Sequence, residues 1–465
     1  MALDFSKYFT ERTKRRHDSP LKSLLKYMSN PELISLGGGL PNPDLFPFSE
    51  FSTQVVKPAS SFENDNVELL NVSFSRNTKI NSQLEPLKGF MQYGGGLGVT
   101  SLVNFFYNHM KQIHQPKYDN WSVILSAGST DALNKVTELF MEQGDPILVD
   151  EWSYPTAIET FTSAGYPMVL VKMDGEGMIP EDLDQVCSNW SGSRPLRMVY
   201  LIPTGQNPTG FTMSLQRRRD IYKVCQKHDI LIIEDDPYYF LQFADAPVVT
   251  KEEETEEYFN HLPGVEKLIP SILSIDVDGR VLRLDTLSKL LAPNMRLGWI
   301  TTQSNLLQKI KFHNETTIQQ PCGISQGLAS TLLNEVWGHD GFLKHILYLQ
   351  KEYLSRRNAI MSSLYKHLGD MVEVTAPVGG MFVWIKINLP SHLESKPGIM
   401  AEIFDTMIEN NVMLVPGWQF SPVTNTDLVK DKPYFRAAFS FATKCDLSRA
   451  MERLAIVLKQ YCHQQ

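Results

Sequence analysis

Between residues 120 and 300 the chain repeats one pattern: a short aliphatic, β-rich run, a polar or Gly/Pro break, then apolar positions at helical spacing. The runs are Val123-Ile124-Leu125, Ile147-Leu148-Val149, Met198 to Ile202, Ile230 to Ile233 and Val281 to Leu284, with Leu297 to Thr301 as a further strand. That alternation predicts an α/β domain built on a mostly parallel sheet. After Thr130, the residues Ala132, Leu133, Val136, Leu139 and Phe140 share one face at a 3.6-residue period, which predicts an amphipathic helix packed on that sheet. Towards the C-terminus the pattern changes. Long helices around 345 to 368 precede strands at Val372-Glu373-Val374 and Met381 to Ile385, as expected of a separate α+β domain, with the break between 305 and 335 along a connecting helix. Residues 57 to 86 and the acidic run KEEETEEYF, Lys251 to Phe259, read as surface excursions.

Composition narrows the function classes. A chain of 465 residues exceeds one comfortable core, so a large and a smaller domain are expected. With 44 Lys+Arg against 52 Asp+Glu and a formal charge of -8, it lacks the basic excess that phosphate-backbone binding needs, so no nucleic-acid partner is expected. No apolar run approaches the ~18 residues of a membrane span, and the N-terminal stretch has no signal-peptide core. A cytoplasmic protein is expected; the cluster Lys14-Arg15-Arg16 leaves mitochondrial import as the alternative, against which Asp4 and Glu11 count. The five cysteines are scattered, and none of the eleven histidines has metal-ligand spacing, so neither a disulfide framework nor a metal site is expected.

Ligands of such sheets collect beyond the carboxyl ends of the strands, and the residues there form a specific set. After Leu125 comes SAGSTDAL, where Ser129, Thr130 and the backbone N–H groups of a helix start suit a phosphate, although Ser and Thr before a helix also serve as plain N-caps. After Ile202 comes PTGQNPTG, with Asn207 in a turn. The run DILIIEDDPYYFL ends in Glu234, Asp235 and Asp236, followed by Tyr238; carboxylates there need a cationic or hydrogen-bonding partner if buried. After Leu284 comes TLSKLLAPNMRLGW, with Lys289 and Arg296. Each residue alone has an ordinary structural explanation. Together they can do the chemistry of pyridoxal phosphate: lysine forms an imine with an aldehyde, arginine grips a phosphate, and a carboxylate keeps a pyridine nitrogen protonated. A lysine with a pKa of ~10.4 is neutral in roughly one part in a few thousand at pH 7, so its reactivity requires burial or nearby positive charge.

The ordered set SAGST, PTGQNPTG, EDDPYYFLQF, TLSKLLAPNMRLGW and PVGGMFVW resembles the fold type I pyridoxal-phosphate aminotransferases. Within them the chain is similar to the fungal aromatic amino acid aminotransferases and to the 2-aminoadipate/kynurenine aminotransferases, over essentially its whole length. The resemblance implies an α/β fold: a large domain with a mostly parallel seven-stranded sheet, residues 48–325, and a smaller α+β domain, residues 326–465. Residues 1–47 would be an N-terminal arm, mobile and contributing to the small domain and the substrate site. By the same resemblance Lys289 would form the internal aldimine and shuttle the proton between Cα and C4′. Asp235 would pair with the pyridine nitrogen, Asn207 and Tyr238 would bind the ring oxygen, and Tyr154 would stack on the ring. Ser129, Thr130, Thr286 and Arg296 would hold the phosphate, and Tyr93, in MQYGGGLG, would reach a neighbouring subunit's phosphate, which implies a homodimer. Gly39, Asn207 and Arg436, in YFRAAFSF, would face the substrate, with Arg436 on its α-carboxylate. Thr286 stands where the family often has serine and Asn294 where it often has glycine; the hydroxyl is kept, and asparagine tolerates left-handed backbone.

The resemblance implies transamination of Phe, Tyr or Trp with a 2-oxo acid such as 2-oxoglutarate, by a ping-pong cycle. The close alternative uses 2-aminoadipate or kynurenine. A remote one is a regulator that binds the cofactor without turnover, but such proteins carry a basic DNA-binding module that the stretch before SLGGGLPNP is too short to supply. Another reaction on the same cofactor, such as a lyase or decarboxylase, is a further alternative, since fold does not fix the reaction.

Overall fold

The strand-forming runs pair as two sets in the computed structural model, which describes residues 2–20, 22, 27, 30, 32–34, 36–37, 39–60, 67–76, 84–243, 247–248, 264–423 and 429–462. In chain order the strands begin with β1 (Glu50–Val56), β2 (Leu69–Ser75), β3 (Trp121–Ser126), β4 (Ile147–Asp150) and β5 (Met168–Val171). Next come β6 (Met173–Asp174), β7 (Gly177–Met178), β8 (Met198–Leu201), β9 (Leu231–Asp235), β10 (Val281–Thr286) and β11 (Gly298–Gln303). The last are β12 (Val372–Val374), β13 (Phe382–Ile387), β14 (Val415–Pro416) and β15 (Tyr434–Ala438). The chain divides into two units, one of residues 1–145, 230–237 and 270–348, the other of residues 146–229, 238–269 and 349–465.

In the first unit the strand order is β3-β11-β10-β9. β10 runs parallel to β9, but β11 is antiparallel to both β10 and β3. Burial of Ile232, Ile233, Val281, Leu282 and Leu284 to 0 % exposure explains their continuous apolar pattern: both faces are covered. One cover is the helix Ser129–Phe140, whose face Ala132, Leu133, Val136, Leu139 and Phe140 is buried as its spacing predicts, against β9, β10 and β11.

The first residues are tied to this helix and its neighbour. Phe9 stacks on Phe140 at 5.6 Å, Thr10 donates its N–H to Leu139 O, and the hydroxyls of Thr10 and Thr13 both reach Glu138 O at 3.1 Å. Arg16 pairs with the Glu138 carboxylate at 2.8 Å, and His313 lies 3.1 Å from it. Residues 9–16 of the expected arm are thus anchored to the first unit.

The stretch 57–86 is more than a surface excursion. It contains β2, whose Val72 and Phe74 are buried, and β2 pairs antiparallel with β1. Phe74 sits between the rings of Phe51 and Phe90 and against Gly327, where a side chain would meet its ring at 2.7 Å. Only Leu70, Val72 and Phe74 alternate with Asn71 and Ser73, a run too short to stand out as a strand. The acidic stretch 251–259 lies outside the described residues.

In the second unit β4 lies between β8 and β5, parallel to both. The two sets contain the seven strands of the expected large sheet; Met168 to Val171 was the one not expected. The same unit holds an antiparallel sheet in the order β12-β13-β15-β14. Val383, Ile385, Phe435 and Phe439 from this sheet share a core with Ile403 and Met407 of the helix Ile399–Glu409 and Leu454 and Leu458 of the helix Lys444–Cys462.

Candidate active site

β10 ends at Thr286, and the chain turns through 287–297 to return as β11. Thr286 Oγ1 accepts from Ser288 N at 3.1 Å and lies 3.2 Å from Leu297 O, while Leu287 N donates to the same carbonyl at 3.0 Å. Lys289 closes the 3-10 turn Leu287–Lys289 and is half-buried. Arg296 adopts a left-handed backbone (φ 50°) and sends Nη2 to Ala127 O at 2.7 Å and Nη1 to Pro293 O at 3.0 Å.

This guanidinium lies across the start of the helix Ser129–Phe140. Gly128, at φ 94°, makes room for it, because a Cβ there would sit 2.4 Å from Arg296 Nη2. The hydroxyl of Ser129 is buried with no hydrogen-bond partner, and the first N–H groups of a helix lack intrahelical acceptors. Thr130 is exposed on the same turn. Asp131, the acid of this turn, is occupied by Ala127 N and Lys135. A cation, an unspent hydroxyl and a helix N-terminus at one place suit an anion such as phosphate.

Asp235, 4 % exposed, ends β9 opposite Leu284. Side chains alternate along a strand, so its neighbours Glu234 and Asp236 point to the other face, as do Arg283 and Asp285 of β10. There Arg283 forms a buried cluster: 2.9 Å to Asp285, 3.1 Å to Glu234 and 3.3 Å to Asp236. Glu234 also accepts from the backbone of Ile272 and Leu273. The cation that these strand-end acids require is thus Arg283. Burial pushes the Asp285 carboxyl up to about 7 even with Arg283 holding it down.

Two other expected residues of this unit are placed without side-chain partners of this kind. Tyr93 is 63 % exposed. Gly39 has φ 56°, and a Cβ there would meet nothing within 4 Å, so backbone conformation, rather than crowding by the chain, calls for glycine.

The second unit brings Tyr154, Asn207, Tyr238 and Arg436 together. Arg436 is central in β15, opposite Trp384 of β13 and Val415 of β14. Its guanidinium lies 4.5 Å from the ring centre of Phe382 and 4.8 Å from that of Phe420, and Nη1 donates to Asn207 Oδ1 at 2.8 Å. Its Nε is buried without a partner, and burial lowers its pKa while Tyr238 and Tyr154 oppose that shift. Tyr238 meets Phe382 edge-on at 5.6 Å. Tyr154 caps the helix Pro155–Ala164 and lines a pocket of about 380 Å³ with Arg436, Phe404, Met413, Leu414 and Phe420. The motifs PTGQNPTG and PVGGMFVW touch through glycine: a Cβ on Gly205 would lie 2.4 Å from Gly380 Cα.

The sequence profile of the aminotransferase class I and II family matches residues 77–454. The chain belongs to that family. This aminotransferase is 37 % identical to an aromatic amino acid aminotransferase of Schizosaccharomyces pombe over 98 % of both chains. It is 32 % identical to the mitochondrial kynurenine/alpha-aminoadipate aminotransferase of Rattus norvegicus over 98 % of this chain and 99 % of that one. The crystal structure of aminotransferase Aro8 from Candida albicans superposes with a TM-score of 0.90, at 32 % identity and full coverage of both chains. The fold is accordingly fold type I, in the α/β class. Among the described residues no group of His, Cys, Asp and Glu could hold a metal ion, and no helix is long and apolar enough to cross a membrane.

Two residues of this aminotransferase escaped the sequence reading. Arg283 sits inside an apolar run, where a charge two residues before Asp285 is a usable signal. Gln206 was passed over beside Asn207, and nothing in the motif's spacing marks it.

Proposed function

We propose that this aminotransferase uses pyridoxal 5′-phosphate to move the amino group of phenylalanine, tyrosine or tryptophan to a 2-oxo acid such as 2-oxoglutarate, in a ping-pong cycle. The observation that carries the substrate reading is Arg436: a guanidinium held between Phe382 and Phe420, with Nε unspent, beside a pocket lined by Phe404, Met413 and Leu414. A carboxylate suits the first and an aromatic side chain the second. The cofactor reading is supported by the unspent Ser129 hydroxyl under the Arg296 guanidinium.

In this reading Ser129, Thr130, Thr286 and Arg296 bind the phosphate. Lys289 would hold the cofactor's aldehyde through Nζ and, when free, would move a proton at the substrate Cα. Asp235 holds the proton on the pyridine nitrogen, so that the ring, when bound, accepts the electron pair left on Cα. Because Asn207 Oδ1 accepts from Arg436, its Nδ2 is the end that can donate to the ring oxygen, joined there by Tyr238. Tyr154 would pack against the cofactor ring, and Gly39 would leave room on the substrate side. The exposure of Tyr93 supports a homodimer in which it reaches the neighbouring subunit's phosphate. The arm 1–47, a large domain 48–325 and a small domain 326–465 complete the proposal.

The likeness to the kynurenine/alpha-aminoadipate enzyme favours a second reading, in which 2-aminoadipate or kynurenine is the donor. A panel of phenylalanine, tyrosine, tryptophan, kynurenine and 2-aminoadipate with 2-oxoglutarate separates the two by relative kcat/KM. If none of the five reacts with the cofactor bound, both fail. Borohydride reduction of the loaded protein is expected to add the cofactor's mass to the peptide containing Lys289.

A further inference from the structure

We infer that Gln206 is a positioning residue for carboxylate binding: its side-chain amide locks the loop carrying Asn207 to the loop carrying Tyr154, and so fixes where Asn207 holds Arg436. This rests on the reading of Arg436 as the carboxylate site.

Gln206 is 2 % exposed and spends its whole hydrogen-bonding capacity. Nε2 donates to Trp152 O at 2.6 Å and to Asp150 Oδ2 at 3.3 Å. Oε1 accepts from Thr209 N at 2.8 Å and from Thr209 Oγ1 at 2.7 Å. A carbonyl can only accept and a backbone N–H can only donate, so the partners fix which end of the amide is which. The Trp152 side is itself pinned, because Ser153 N donates to Phe420 O at 2.8 Å, and Phe420 is one of the two rings on Arg436. On the other side the backbone of Gln206 bonds to Phe211 O and Gly210 N, at 2.8 and 2.6 Å, closing the turn that presents Asn207.

The consequence falls on Arg436. Contact with two ring faces holds the guanidinium in place without fixing its rotation. The bond to Asn207 Oδ1 removes that freedom and sets the direction of the remaining donors. No other side-chain type combines two donors and an acceptor at this length. Leucine has the size without the bonds; glutamate keeps the bonds to Thr209 but turns an acceptor towards Trp152 O and Asp150.

The test uses the cofactor-loaded enzyme and an unreactive carboxylate, 3-phenylpropanoate, with 3-phenylpropanamide as the uncharged control. Gln206→Leu is expected to weaken 3-phenylpropanoate about ten-fold and to raise KM for amino and oxo acid alike, with little change in binding of the amide or in cofactor content. In an Arg436→Lys background the same substitution is expected to cost about two-fold or less, because the group it positions is gone. Equal losses in both backgrounds would mean a general structural role and overturn the inference. So would a folded Gln206→Leu enzyme with unchanged 3-phenylpropanoate affinity. If Gln206→Leu does not fold, Thr209→Val, which removes one bond to Oε1, must shift 3-phenylpropanoate binding in the same direction, and no shift overturns the inference. Unchanged 3-phenylpropanoate binding in Arg436→Lys alone overturns the reading of Arg436 itself; a loss there with none in Gln206→Leu overturns only the clamp.

Discussion

Arg283 and Asp285 form a two-pronged ion pair inside the sheet, Nε 3.0 Å from Oδ2 and Nη2 2.9 Å from Oδ1, with Glu234 and Asp236 on the remaining side of the guanidinium. Three carboxylates around one cation leave the cluster with excess negative charge, and all of it is buried on the face of β9 and β10 opposite Asp235 and Thr286. Removing the cation strands the acids. Arg283→Met is expected to cost about 3–5 kcal/mol in urea unfolding at neutral pH, and less in acid, where the carboxylates can take up protons. A loss below about 1 kcal/mol would mean that the cluster is solvated.

Asp150 offers a pH signature. Burial pushes its carboxyl from 3.8 up to about 7, opposed by the bond from Gln206. A raised carboxyl contributes its full stability below the unfolded value near 3.8 and loses it as pH rises to about 7. Asp150→Asn keeps the acceptor for Gln206 and abolishes the titration. Its stability relative to the parent is therefore expected to improve by up to about 1 kcal/mol per pH unit between pH 5 and 7, then to level off. Urea denaturation at pH 5, 6, 7 and 8 reads this directly, and a flat difference would refute it.

Glu138 behaves in the opposite sense. Its bond with His313, aided by Arg16 and Arg12, outweighs burial and holds the carboxyl down at about 2 against an ordinary 4.5. The stabilisation is present above 4.5 and disappears as pH falls towards 2. With 27 % of the side chain exposed, Glu138→Gln is expected to cost only about 1 kcal/mol at pH 7, and nothing near pH 2. The same variant should make residues 2–18 more susceptible to limited proteolysis, since Arg16 loses its partner.

Gly128→Ala tests the phosphate site. The added methyl must displace the Arg296 guanidinium, and φ 94° is strained for any other residue. Cofactor affinity is expected to fall about ten-fold or more, measured by fluorescence titration, with the fold retained by circular dichroism. Affinity equal to the parent's would show that Arg296 does not need this position.

What the chain revealed before folding depended on whether a residue's role was local. The strands around Ile232 and Leu282 and the helix after Gly128 were legible because apolar spacing reflects burial within one element. Arg436 could be placed only by resemblance, since its aromatic neighbours Phe382 and Phe420 are distant in sequence. Gln206 and Arg283 were missed in part for the same reason: beside the near partners Thr209 and Asp285, they bind Asp150 and Trp152 in one case and Glu234 and Asp236 in the other, tens of residues away. The hairpin strand β2 was missed because three of its seven side chains, Leu69, Asn71 and Ser73, face water. The orientation of β11 was equally illegible, since an apolar run has no direction.

That orientation has a practical meaning. Because β11 doubles back on β10, a single loop of eleven residues, closed by Leu287 and Leu297, carries both the lysine and the arginine. Inserting or deleting one residue between them would shift the amine relative to the guanidinium, so diversification at this edge is confined to side-chain exchange.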